Sequence, residues 1–172
     1  MLTIYDNLLS KKEQKEIYDF CKSIPYYRGE VDNPGNPFTG LVADLKDKNI
    51  INKLMNRTNN SDKIIERTYI NLFIPNEKPY FHVDNDDPNY QTLLYYVNTE
   101  EADWNNEGGE TFFLEKNFKK AVSFLPGRTV VFNADIPHKA SSFRTLDRYT
   151  IALKFKNSNI KKWLDNLKHF TK

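Results

Sequence analysis

The sequence predicts a mainly β domain with flanking helices, an α+β arrangement in which helices support an antiparallel sandwich or barrel. Seven short aromatic and β-branched runs lie between residues 66 and 156, separated by turn residues. Helical spacing of apolar residues is confined to the segments before and after them. With 172 residues and 14% aromatics, one domain can bury a core of large rings without disulfide support.

Taken in order, residues 1–5 read as a short strand. Ser10-Lys11-Lys12-Glu13 is a capping box, in which each end's side chain satisfies the other's backbone amide, so a helix starts there. Ile17, Phe20, Cys21 and Ile24 form its apolar stripe. Residues 28–43 are dense in Pro, Gly and Asn and predict a long loop. A second helix is expected from about Asp44, burying Ile50, Ile51 and Leu54, and the two helices should form a layer on one side of a sheet. The strand runs are residues 66–74, 79–83, 91–97, 110–115, 121–125, 128–132 and 148–155. Pro126-Gly127 between two of them is a type II turn signature, because Pro presets φ and Gly accepts a positive one. Ile160, Trp163, Leu164 and Leu167 share one face of a terminal helix. The whole chain, 1–172, is thus read as one domain: helical support and a loop in 1–60, the β core in 66–156, and a helix over 157–170.

Composition excludes several function classes. Lys plus Arg number 25 against 23 acidic residues, so no overall charge calls for a nucleic-acid partner. Cys21 alone rules out an internal disulfide and a Cys-rich zinc site, and it is read as a small buried residue. No apolar run reaches membrane-spanning length, and MLTIYDNLLSKKEQ lacks the layout of a signal peptide, so a soluble, cytoplasmic protein is expected.

There are only three histidines. His82 and Asp84 stand two apart in a run read as a strand, so their side chains share a face and can reach one ion. His138 follows the run RTVVF and the turn NADIP. Two imidazoles and one carboxylate on one side of a cation suit Fe(II), whose remaining positions take an organic acid and O2. Taken singly, a His-x-Asp is commonplace, His138 fits a capped turn, and His169 reads as a surface residue. Arg148 lies ten residues beyond His138 and opens a strand expected to run antiparallel to the one before His138. Thr150 shares its face. A guanidinium fork beside a hydroxyl seats a carboxylate, although an isolated strand arginine is equally at home on a surface.

The stretch His82-Val83-Asp84-Asn85, the strand LLYYVN at 93–98, Gly108-Gly109-Glu110-Thr111, Leu125-Pro126-Gly127-Arg128 running into VVF, His138, and Arg148-Tyr149-Thr150 occur in one order and spacing. In this the chain resembles the Fe(II)/2-oxoglutarate dioxygenases, and among them the prolyl 4-hydroxylase-like group, over residues 66–156. The resemblance implies a double-stranded β-helix, or jelly roll, with iron held by His82, Asp84 and His138. It implies 2-oxoglutarate as co-substrate, its far carboxylate on Arg148 with help from Thr150 and Tyr96, and ascorbate as a candidate reductant. Tyr95 competes with Tyr96, because a one-residue slip swaps faces. Tyr69 and Tyr80 are core aromatics or pocket residues. Gly108-Gly109 reads as a tight turn. Keeping an acid at Asp84 implies hydroxylation, since a related halogenating branch carries a small residue there.

The loops 28–43, 85–91 and 98–108 are expected to rim the open end. Asp86, Asp87, Glu100, Glu101, Asp103 and Glu107 would make that rim acidic, or else form ordinary solvated loop surface. Loop 28–43 is a candidate lid and Trp104 its candidate anchor. A calcium-loop reading of 84–89 fails for want of the central Gly and the final Glu. The expected substrate is a peptide or protein, with prolyl hydroxylation the leading reaction. A free amino acid, a metabolite or a nucleobase on the same scaffold is the alternative, as is a non-catalytic metal-binding jelly roll. Lys154 stands where the nucleobase-repair branch carries a second arginine, and no nucleic-acid or membrane partner is expected.

Overall fold

The computed structural model describes residues 1–29, 31, 34–116 and 118–157. The elements are β1 (Leu2–Tyr5), α1 (Lys11–Ser23), β2 (Leu41–Asp44), α2 (Lys48–Arg57), β3 (Ile64–Phe73), β4 (Tyr90–Tyr96), α3 (Trp104–Glu107), β5 (Thr111–Glu115), β6 (Phe118–Val122), β7 (Thr129–Asn133), β8 (His138–Ala140) and β9 (Arg148–Lys156). Six strands form a major sheet in the order β1-β7-β4-β9-β3-β2, and three form a minor sheet, β6-β5-β8. All pairings are antiparallel. The two facing sheets make the expected jelly roll.

Alternation along the central strands divides the molecule into two cores. Side chains on a strand point to opposite faces in turn. Tyr149, Ile151, Leu153 and Phe155 of β9 join Ile70 and Leu72 of β3 and Leu93 and Tyr95 of β4 on one face, where Ile17, Cys21, Ile50, Leu54 and Met55 of the helices cover them. The intervening residues face inward. There Leu94, Tyr96, Val130, Phe132 and Ala152 meet Phe113 and Val122 of the minor sheet. The helical layer therefore lies on the back of the major sheet and leaves the inner face to the pocket.

Local signals account for most boundaries. Ser10 caps α1 through a complete capping box, and Glu13 also reaches Lys53 of α2 at 2.9 Å, tying the two helices together. Asp47 caps α2 by accepting from the Asn49 and Ile50 amides, which moves the helix start to Lys48, four residues past Asp44. Gly127 adopts φ +77°, and the Arg128 amide closes the turn on the Leu125 carbonyl at 3.0 Å.

Several expectations are corrected. The loop 28–43 ends in a strand, because Leu41–Asp44 pairs with β3 as β2. Residues 79–83 are no strand; only His82 makes a bridge, to His138. The run 121–125 gives way to β6 three residues earlier, and Phe124 instead packs in the inner core. His138 opens a short strand of its own, β8, beside β5. β9 is not the hairpin partner of β7, since β4 lies between them. The expected terminal helix and His169 lie outside the described residues. No helix among the described residues is long and apolar enough to cross a membrane.

Ser10→Ala is expected to lower the unfolding free energy by about 1 kcal/mol, measured by denaturant titration. Hydrogen bonds from Lys53 and from Ser10 hold the Glu13 carboxyl down at about 2. A lowered folded-state value contributes stability above the ordinary 4.5, and that contribution is lost as pH falls from there toward 2. Glu13→Gln should flatten this acid limb of the stability curve.

Candidate functional site

A cavity of about 170 Å³ opens between the sheets. Strand register lays out its floor. Tyr96 pairs with Thr150, Leu94 with Ala152 and Thr92 with Lys154 across β4 and β9. On the other side of β9, Phe73 pairs with Arg148, Asn71 with Thr150 and Tyr69 with Ala152. All of these except Tyr96 line the cavity, and Tyr96 stands beside Arg148.

At one part of the cavity, ligand atoms of His82, Asp84 and His138 all lie within 4.8 Å of one another. A two-residue bridge does this: the His82 amide donates to the His138 carbonyl at 3.0 Å and the His138 amide returns the bond at 2.9 Å. Asp84 is fixed next to it by its amide, which donates to the Ala134 carbonyl at 2.9 Å. His138 Nδ1 lies 3.0 Å from the Ile136 carbonyl and His82 Nδ1 lies 3.2 Å from the Tyr80 carbonyl. A carbonyl only accepts, so each Nδ1 carries the hydrogen and each Nε2 offers its lone pair, the arrangement metal-binding histidines use. The two Nε2 atoms approach different oxygens of Asp84, at 3.7 and 3.6 Å.

The electrostatics favour the ligating forms. Burial works against ionising Asp84, but the His138 and Lys154 surroundings and hydrogen bonds from Lys154 and Thr92 outweigh it and hold the carboxyl below its ordinary range. Burial pushes His138 below the ordinary histidine value, with Asp84 pulling the other way. His138 therefore stays neutral, and Asp84 charged, near pH 7. This donor set, two imidazoles and one carboxylate, fits a divalent first-row metal such as Fe(II).

Further along β9, Arg148 is fully buried. Its Nε donates to the Gly109 carbonyl at 3.0 Å and one Nη to Thr111 Oγ1 at 3.3 Å. The guanidinium lies 5.4 Å from the Tyr96 ring centre, and the Tyr96 hydroxyl donates to Thr111 at 2.8 Å. Gly109 must be glycine at φ +79°, since a Cβ would fall 2.1 Å from the Phe143 ring. Among the described residues no carboxylate lies within ion-pair distance of Arg148, although a buried cation requires a counter-charge. Thr150 Oγ1 is buried in the same cavity without a hydrogen-bond partner. A cation without an anion beside an unused hydroxyl is a fitting seat for the far carboxylate of a small diacid such as 2-oxoglutarate.

Five of the six expected site residues, His82, Asp84, His138, Arg148 and Thr150, line one cavity. Tyr96 lies in the inner core beside Arg148, whereas Tyr95 packs under the helices. Tyr69 lines the cavity, and Tyr80 is 39% exposed on the surface. The expected acidic rim forms no part of the cavity wall. Asp87 and Asp103 cap local turns, Glu107 binds Thr145, and Glu100 accepts from the Tyr18 hydroxyl; none of the six acids lines the cavity. Trp104 packs on Phe124 and Phe143 and anchors no lid. Loop 28–43 does contribute Val31 and Thr39 to the cavity wall. The polar pocket residues not foreseen include Thr92, Thr111 and Lys154. Alternation signals two of them, because Thr92 is in phase with Tyr96 and Lys154 with Arg148 and Thr150.

No protein-family model and no curated protein sequence matches the chain. Solved structures do. A Pseudomonas putida prolyl-4-hydroxylase superposes with TM-score 0.73 at 13% identity, covering 91% of this chain and 92% of its own. A prolyl hydroxylase of Trichoplax adhaerens, in complex with a peptide fragment of a hypoxia-inducible-factor degradation domain, gives 0.70 at 16% identity, covering 91% and 83%. HygX of Streptomyces hygroscopicus, with nickel, 2-oxoglutarate and hygromycin B bound, gives 0.67 at 12% identity, covering 91% and 83%. At these identities the likeness is one of fold.

Titration with Co(II), followed by its absorption, is expected to reveal one site that His82→Ala and His138→Ala each remove. Since His138 titrates below the ordinary histidine value of about 6.5, its proton should compete with the metal only under more acidic conditions. Affinity measured across a pH series should therefore fall on that acid side.

Proposed function

We propose that the protein is an Fe(II)- and 2-oxoglutarate-dependent dioxygenase that hydroxylates a C–H bond, with a prolyl residue of a peptide or protein as substrate. The observation that carries this reading is the pairing, in one cavity, of an open-sided His82–Asp84–His138 cluster with the buried, anion-lacking Arg148. His82, Asp84 and His138 would hold the iron. Arg148, with Thr150 and Tyr96 beside it, would hold the far carboxylate of 2-oxoglutarate. The bound metal and co-substrate would together activate O2, converting 2-oxoglutarate to succinate and CO2 while one oxygen atom enters the substrate.

The chain's own contribution is binding, orientation and shielding. The two Nδ1 hydrogen bonds fix both imidazoles in the ligating tautomer. Phe132, Leu94, Ala152 and Ala140 line the cavity with apolar surface and limit water near the reacting centre. Phe73, Pro79, Val83 and Val31 complete a wall that suits an uncharged aliphatic ring better than a charged group. The prolyl reading rests on this lining and on the fold shared with the two prolyl hydroxylases. The fold shared with HygX, which binds hygromycin B, supports a second reading, a small-molecule substrate.

The test supplies Fe(II), ascorbate, 2-oxoglutarate and O2, and follows succinate formation and oxygen insertion by mass spectrometry. Proline-containing peptides are expected to stimulate succinate formation and to gain one oxygen; a gain confined to small metabolites would favour the second reading, and no succinate at all would refute the enzyme. Arg148→Lys should raise the KM for 2-oxoglutarate roughly 10–100-fold, the equivalent of about 1.5–3 kcal/mol for charge-assisted hydrogen bonds lost from the fork.

A further inference from the structure

The Asp84 side chain is only 2% exposed, and its two oxygens meet different groups of the major sheet, an ammonium at ion-pair distance on one and a hydroxyl donor on the other. Lys154 Nζ of β9 lies 2.8 Å from Oδ1, and Thr92 Oγ1 of β4 donates to Oδ2 at 2.5 Å. Thr92 and Lys154 are direct register partners, so the two donors stand side by side and grip the carboxylate like a clamp. The Lys154 side chain is 21% exposed, and its ammonium lies 5.4 Å from the Tyr69 ring centre, which steadies it further. Lys154 and Asp84 each line both the main cavity and a smaller one of about 140 Å³ whose wall includes Glu66, Arg67, Asn85, Tyr90 and Gln91.

We propose that Lys154 is a positioning residue that makes Asp84 a one-oxygen metal ligand, holding the other oxygen on the sheet. The inference rests on the reading that Asp84 ligates a divalent ion. A carboxylate oxygen engaged by an ammonium has less electron density to share with a cation, and Lys154 repels a second cation drawn toward it. The carboxylate is therefore held to a single bond with the metal. That preserves a coordination position for the two-atom chelate of an organic acid. A carboxylate released from the clamp would swing to bind through both oxygens and take that position.

The experiment compares Co(II)-loaded wild type with Lys154→Met, Lys154→Gln and Lys154→Arg, each checked by circular dichroism for its fold. Lys154→Met is expected to bind Co(II) yet show a weaker visible absorption, because extra coordination lowers its intensity, and to lose 2-oxoglutarate affinity about tenfold in direct titration. Lys154→Arg, which keeps the charge, should restore both. Unchanged spectrum and unchanged 2-oxoglutarate affinity in Lys154→Met overturn the proposal. If that variant does not fold, Lys154→Gln decides it on the same two readouts. Failure of wild type itself to bind Co(II) would instead sink the metal-centre reading on which the proposal stands.

Discussion

The register of β9 between β3 and β4 is the constraint on which the pocket depends. In this strand Arg148, Thr150, Ala152 and Lys154 face the cavity, and Tyr149, Ile151, Leu153 and Phe155 face the helices. A slip of one residue would exchange the two sets, burying a guanidinium and an ammonium under the helical layer and turning a row of apolar groups into the site. The apolar set therefore does more than stabilise. It selects the alignment in which the charged set lands beside Asp84 and Gly109, and the helices α1 and α2 enforce that selection from behind. Burial on one face fixes chemistry on the other.

The charges within this frame are arranged unequally. Asp84 has Lys154 against one oxygen and the Thr92 hydroxyl donating to the other, whereas Arg148 hydrogen-bonds only to neutral groups, the Gly109 carbonyl and the Thr111 hydroxyl. Burying a guanidinium without an anion costs free energy, and the rest of the fold must supply it. The minor sheet takes part, because Thr111 on β5 receives both Arg148 and the Tyr96 hydroxyl and so couples the two sheets at this point. The arrangement is one that an incoming carboxylate completes.

Much of this was legible in the sequence, and the remainder was hidden for identifiable reasons. Both helices announced themselves, α1 by its capping box and α2 by its apolar stripe. β3, β4, β5, β7 and β9 followed from β-branched and aromatic runs, and the candidate site residues from spacing and phase together with the family resemblance, on which Tyr96 rested alone. The bridge between His82 and His138 was not legible, since it is one pair of backbone bonds between distant residues and leaves no local pattern. Residues 79–83 looked like a strand because they are apolar and aromatic, yet in the sheets only His82 enters, through a single bridge to His138. β2 was missed because Pro, Gly and Asn dominate the segment before it, although the pairing partner on β3 decides its end. The acidic loops misled because charge counts do not reveal direction: Asp87 and Asp103 serve local turns, while Glu100 and Glu107 hold Tyr18 and Thr145.

The alternating strands have an evolutionary corollary. Neighbouring codons of β4 and β9 answer to different selection: one position in each pair maintains the packed back of the sheet, and the next decides what the cavity accepts. Substitutions at Leu94, Asn71 or Ala152 can thus retune ligand preference without disturbing the layer that Leu93, Ile70 or Leu153 secures. A scaffold divided in this way can diversify its chemistry while drawing little on its own solidity.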